Sequence, residues 1–274
     1  MWDNFLEAAR ALLTGMIPVA VVFGLLALVM KRRAVLAGLK RARNEIVTNL
    51  YLLLVNALVV APLLAVPLMT GHDLVPRNTA LVALWDEIPV GLSLIAAIVV
   101  IDFAAYWRHR AEHSRSVWPI HATHHADEAM NWLSLHRKHP LGAALSMAVD
   151  TVPVLLLGLP FWAIAAALVL RTWWGYFVHA DVPWTLGPVG KVLISPAAHR
   201  LHHIRDEELM GFNYGNTITL WDKLFGTYVD PAPYLDCETG IAEGTRDFIG
   251  ELARPFEARY RPGKGKPVGN QPAL

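Results

Sequence analysis

Three apolar runs, "ALLTGMIPVAVVFGLLALVM" at 11–30, "LYLLLVNALVVAPLLAVPLM" at 50–69 and "IPVGLSLIAAIVVIDFAAYW" at 88–107, limit what this chain can become. Each supplies the roughly 20 residues a helix needs to cross about 30 Å of hydrocarbon. Inside a bilayer every backbone N–H and C=O must be satisfied by the protein itself, so such runs are helices. A fourth apolar region, 141–178, is too long for one crossing and is interrupted by "GLP" at 158–160, which predicts a helical hairpin. Arms of about 17 and 19 residues, roughly 25–28 Å each, suit either two spans or a deep re-entrant pair. The mean hydropathy of +0.36 agrees with a membrane protein.

Charge orients the runs. Lys31, Arg32, Arg33, Lys40, Arg41 and Arg43 crowd the loop after the first run, whereas 70–87 holds one Arg and three acids. The positive-inside rule then predicts 31–49 in the cytoplasm and the N-terminus outside. The first run lacks a preceding basic region and a following small-residue cleavage site, so it reads as a span, not a cleaved signal. By the same count 108–140 and 179–274 share the cytoplasmic side. The lone cysteine, Cys237, excludes an internal disulfide, and a formal charge of +1 gives no reason to expect nucleic acid. The expected fold is all-α: a polytopic membrane bundle of three spans plus a hairpin, with a cytosolic histidine-rich helical cap. Its divisions are N-terminal spans over 1–87, a catalytic region over 88–230 and a C-terminal tail over 231–274, the last twenty residues forming a loose Pro-, Gly- and Lys-rich end.

Eleven of the twelve histidines lie between 109 and 203; the other, His72, reads as a hydrogen-bonded structural residue. "HRAEH" puts His109 and His113 at i and i+4 on a helix that continues the third span. "HATHH" (His121, His124, His125) and "HRLHH" (His199, His202, His203) both repeat i, i+3, i+4. Three helices carrying such stripes surround a small volume with imidazole, which is how metal sites are built in helical bundles. Buried imidazoles without partners are costly, and a shared metal relieves them all. Eight or more ligands exceed what one zinc takes, so two ions are the simpler account. Spacing leaves the element open among zinc, copper, iron and nickel.

The order "HRAEH", "HATHH", "HRLHH", together with "DFAAYWRHRAEH" at 102–113, "WPIHATHHADEAMN" at 118–131 and "SPAAHRLHHIRDEELMGFNYGNTITLWDKLFGTY" at 195–228, resembles the bacterial branch of the fatty acid hydroxylase and sterol desaturase superfamily. The likeness covers roughly 85–230. It implies two iron ions near the cytosolic membrane surface, dioxygen as co-substrate, and hydroxylation or desaturation of an acyl chain, sterol or related lipid. It also implies a further ligand at His179 in "WWGYFVHAD". The fatty acid 2-hydroxylase branch carries another histidine four residues earlier, where this chain has Gly175; His139, before Pro140, is the leading substitute, with His136 a second candidate.

Asp102, two turns before His109 on the same face, is expected to accept a hydrogen bond from a ligand's second nitrogen, with Asn213 and Asp222 beside it and Asp127, Glu128 and Asp181 as weaker candidates. Asp150, in mid-hairpin, is expensive there, and either lines a substrate channel or pairs with a Thr or backbone group, the latter being favoured. Tryptophans such as Trp107, Trp118, Trp132, Trp173, Trp174 and Trp221 cluster near span ends as an interfacial belt, and "WDKLFGTY" at 221–228 is expected to pack the cap on the metal helices. No haem, flavin or iron–sulfur motif is present, so electrons must come from a separate donor, a reductase with a ferredoxin or b-type cytochrome. Arg108, Arg110, Arg115, Arg137 and Lys138 are candidates for its docking patch. The expected setting is a bacterial inner membrane. A zinc-dependent membrane lipid hydrolase is the alternative, disfavoured by surplus histidines; a metal transporter would spread its histidines along the spans.

Overall fold

The computed structural model describes residues 2–64 and 78–260. His72 and the tail beyond 260 lie outside the described residues, as do 65–69 of the second apolar run. Helix α1 (Trp2–Lys31) is followed by the short α2 (Ala34–Arg41) and by α3 (Arg43–Val55), which runs on through a π-helical turn at Asn56–Val60. Then come α4 (Thr79–Glu87), α5 (Val90–Glu112), α6 (Trp118–His125), α7 (Pro140–Leu156), α8 (Phe161–His179), α9 (Pro196–His202), α10 (Leu220–Leu224) and α11 (Phe248–Ala253). Among the described residues there are isolated β-bridges but no strand. The all-α class is as the apolar runs require.

Four helical stretches are long and apolar enough to cross a membrane: Ala9–Lys31, Arg43–Leu64, Val90–Glu112 and Phe161–His179. The hairpin forms as expected, with arms of 17 and 19 residues. Gly158 turns it at φ +62°, a conformation that costs glycine nothing, and a Cβ there would approach Val82 Cγ2 at 3.1 Å. Arg32, at φ 49°, turns α1 into α2. The second span starts at Arg43, seven residues before the apolar run. Its polar first turns are not a free loop, because Glu45, Thr48 and Asn49 are buried against the cap.

Helix α5 is the hub, packing against both hairpin arms through a small-residue core that includes Ala97, Ala163 and Ala167. A second core, with Trp118, Leu201 and Ile241, lies in the cap. Residues 231–260, read from sequence as part of a tail, fold back into this cap: Ile241, Glu251 and Arg254 are buried. Contacts between helix ends align the bundle. Lys31 at the end of α1 pairs with Asp181 just past α8. Asn49 near the start of α3 donates to Asp127 (2.9 Å), just past α6. The basic loop and the histidine boxes therefore occupy the same end of the bundle.

Candidate metal centre

The four histidine-bearing helices meet there. α5 contributes His109 and its C-terminal cap His113; α6 contributes His121, His124 and His125; α8 ends on His179; α9 contributes His199, His202 and its cap His203. These nine residues, all buried, fall into two groups. One is His109, His113, His121, His125 and His202; the other is His124, His179, His199 and His203, with ligand atoms in each within 4.8 Å of one another.

Their hydrogen bonds decide which nitrogens face inward. Nδ1 of His109 bonds the carbonyl of Tyr214 (2.8 Å), that of His202 the carbonyl of Phe212 (2.8 Å), that of His124 the carbonyl of Arg137 (3.2 Å) and that of His179 the carbonyl of Gly175 (2.7 Å). A carbonyl only accepts, so each of these rings carries its proton on Nδ1 and presents a lone pair on Nε2. Nε2 of His109 and of His202 stand 2.9 Å apart and those of His124 and His179 3.5 Å apart, lone pair to lone pair, and Nε2 of His199 lies 3.0 Å from that of His179. Facing lone pairs repel unless a cation lies between them. Imidazole nitrogens held about 2.0–2.1 Å from one ion at angles between 90° and 110° would stand roughly 2.8–3.4 Å apart, which is close to the separations seen here.

His203 makes the point most strongly. It is fully buried, and neither nitrogen has a hydrogen-bond partner among the described residues. Burial, and after it neighbouring imidazoles, push His121, His124, His125, His199 and His203 well below 6.5, and burial lowers His202 to about 4. The rings are neutral at physiological pH, which is the ligating form. The donor set fits two metal ions.

The supporting groups differ from expectation. Asp102 does not reach a histidine: its Oδ2 accepts from Ile218 N (3.0 Å) and Trp221 Nε1 (3.2 Å), and Arg171 lies at 3.3 Å. Asp222 accepts from Tyr214 N (2.7 Å), Gly215 N (2.9 Å) and the Thr227 hydroxyl (2.7 Å). Asn213, at φ 55°, exchanges bonds with the backbone of Val229. All three instead shape the 212–222 loop, whose Phe212 and Tyr214 carbonyls orient His202 and His109. For His109, His124, His179 and His202 the second partner is a carbonyl, not a carboxylate. Asp127 holds Asn49, Ser134 and the Ala129 amide; Glu128 pairs with Arg205, and Asp181 with Lys31 and Arg200.

His136 and His139 join neither group. His136 Nε2 meets the Tyr176 hydroxyl at 2.7 Å. His139 caps α7, its Nδ1 accepting from Leu141 N (3.2 Å) while Nε2 donates to Leu252 O (3.2 Å). Leu135 packs on Gly175, so that a Cβ there would stand 2.9 Å from Leu135 Cδ1 and the leucine would have to shift to admit a larger side chain. Of the docking candidates, Arg108 and Arg137 are buried. Arg108 is the partner of Asp150 (2.8 Å), in place of the Thr or backbone group expected, and also binds Glu112 (2.7 Å). Sequence reading missed two acids: Glu112, 3.4 Å from His121 Nδ1, and Glu251, 2.8 Å from Arg137. The Glu in "HRAEH" was a visible signal; nothing local marks Glu251.

Residues 94–227 match the fatty acid hydroxylase family model. That stretch is a fatty acid hydroxylase domain. An ornithine lipid hydroxylase of Rhizobium tropici is 28% identical over 189 residues, covering 68% of this chain and 56% of that protein. Human alkylglycerol monooxygenase is 32% identical over 134 residues, 48% of this chain and 30% of its own length. A probable Delta(7)-sterol 5(6)-desaturase of Neurospora crassa is 30% identical over 136 residues, 49% and 37% respectively. The chain thus spans between 30% and 56% of these relatives. No solved structure matches it. Every histidine of the two groups lies within the hydroxylase match, as do Asp102, Asn213 and Asp222.

Proposed function

We propose that this protein is a membrane-bound, dioxygen-dependent oxidoreductase that hydroxylates or desaturates a lipid C–H bond. The observation that carries the reading is the division of nine buried imidazoles into two adjoining groups with facing lone pairs. The relatives support it by name, each being a lipid hydroxylase, monooxygenase or desaturase. We assign one iron to His109, His113, His121, His125 and His202 and the other to His124, His179, His199 and His203. Such a pair supplies activation of dioxygen for attack on an unactivated C–H bond.

The chain's own residues do the rest. Carbonyls of Phe212, Tyr214, Arg137 and Gly175 hold four rings in one tautomer and orientation. Burial of all nine rings excludes water. Apolar grooves of about 680 Å³ beside Phe103, Trp107 and Val152, and about 510 Å³ beside Met16, Leu168 and Thr172, lie on the span helices and suit acyl chains. In this reading electrons come from a separate donor protein, and the positive-inside rule applied to the basic loop at 31–43 favours a cytoplasmic metal end.

Metal analysis with oxygen-uptake measurements tests this. Two irons per chain and lipid-dependent oxygen consumption with NADPH and a reductase mixture are expected. One zinc per chain with lipid turnover under argon would establish the hydrolase alternative instead.

A further inference from the structure

Beside the metal end, on the flank built by α1 and α2, lies a cavity of about 280 Å³ that none of the imidazoles enters. Its two halves differ in chemistry. Phe23, Leu26 and Ala27, on the last turns of a membrane-length helix, make one half apolar. Lys31, Arg41 and Arg200 gather on the other, at the level where that helix leaves the hydrocarbon. Asp181 and Glu128 also line it, but their charge is largely committed: Asp181 pairs with both Lys31 and Arg200, and Glu128 pairs with Arg205 from outside the cavity. Arg41 is exposed and has no ion pair or hydrogen bond among the described residues. Two cations thus share one carboxylate, and the third, Arg41, keeps an open guanidinium fork.

An amphiphile with an acidic head matches both halves at once. We propose that this cavity binds a single membrane lipid through an anionic head group, its oxygens on Arg41, Lys31 and Arg200 and its acyl chain along the Phe23–Ala27 flank of α1. Charge-assisted bonds to a phosphate or carboxylate suit the free fork of Arg41. The site bears on the metal centre, because Arg200 lies on α9 between His199 and His202, and Asp181 follows His179 by two residues. Head-group occupancy therefore braces the ends of the two helices that carry His179 and His199. The site does not depend on which lipid is oxidised, and it stands or falls separately from the di-iron reading.

Native mass spectrometry of the detergent-purified, metal-loaded full chain tests it, with dioleoyl phosphatidylglycerol compared against dioleoylglycerol, which has the same tails and no phosphate. One phosphatidylglycerol per chain should survive, and dioleoylglycerol should not. A Lys31→Gln/Arg41→Gln double variant should bind the anionic lipid about a hundredfold more weakly or worse, each lost charge-assisted bond being worth about tenfold or more. Gly38→Leu provides a variant that keeps the charges. Gly38 lines the cavity, an added Cβ meets nothing within 4 Å, and leucine favours the helix, so it should fill the space and expel the lipid without loss of fold or metal. Equal retention of the two lipids, unchanged binding in either variant, or uptake of inorganic phosphate without phosphatidylglycerol would overturn the proposal.

Discussion

A fully buried imidazole with two unpartnered nitrogens, as at His203, is tolerable only if something else occupies the space between the rings. Without metal the rings weigh on stability in a pH-dependent way. His202 titrates near 4 in the folded chain against 6.5 when free, so below 6.5 the unfolded chain binds protons that the folded chain refuses. Stability from this group is present above pH 6.5 and is lost as pH falls toward 4. Melting of the metal-free protein in detergent should drop across that window, the other lowered histidines adding to the effect; a flat profile would contradict the assigned burial. His124→Ala and His202→Ala should each remove metal and activity together. His139→Ala should keep the metal, costing about 1 kcal/mol through the lost helix cap, and metal loss there would reinstate it as a ligand. The difference was only half legible in sequence. Repeated i, i+3, i+4 spacing brings rings to one face and marks the boxes, whereas a histidine before proline looks the same whether it binds metal or caps a helix.

At the level of elements, the 212–222 loop does for the rings what carboxylates were expected to do. Asp222 is the pin of that loop, and its three donors are all buried or nearly so. Asp222→Ala would orphan them, at about 1–3 kcal/mol for each donor left unsatisfied. The Tyr214 carbonyl would then release His109, and metal affinity should fall about 10- to 100-fold with every ligand still present. Isothermal metal titration of the variant reads this directly; unchanged affinity would mean the loop merely covers the site. Asp102 was expected to accept from a ligand's second nitrogen, and its Oδ2 accepts instead from Ile218 N and Trp221 Nε1. Asp102 reaches residues 116 and 119 positions away, and no local spacing encodes contacts at that separation. The helices themselves were readable because hydrocarbon leaves the backbone no alternative, as the hairpin turning at Gly158 illustrates. The polar start of α3 at Arg43 was not, since its burial depends on a partner elsewhere.

That partner, Arg137, organises the whole molecule. Its guanidinium, fully buried, reaches Glu45 (2.5 Å) and Asn49 on α3, Glu251 (2.8 Å) on α11, Thr245 (2.8 Å) and the Thr123 carbonyl (2.8 Å) on α6. Its own carbonyl holds His124. One side chain thereby ties a membrane span, the cap and the C-terminal segment to the ring of His124. Removing a single partner from such a buried network leaves uncompensated charge, worth about 3–5 kcal/mol, whereas neutralising all partners together costs far less. Arg137→Met should therefore lower the melting temperature sharply and loosen metal, because Glu45 is left buried without a cation, whereas Glu251 keeps Arg254. Adding Glu45→Gln to that variant should recover much of the loss. Truncation after residue 244 should also lower the melting temperature, since it deletes Glu251 and Thr245 and leaves Glu45 as the one carboxylate on Arg137. If the truncated chain melted and held metal like the full one, the C-terminal segment would be a cover and not a brace, and the coupling assigned to Arg137 would stop at α3.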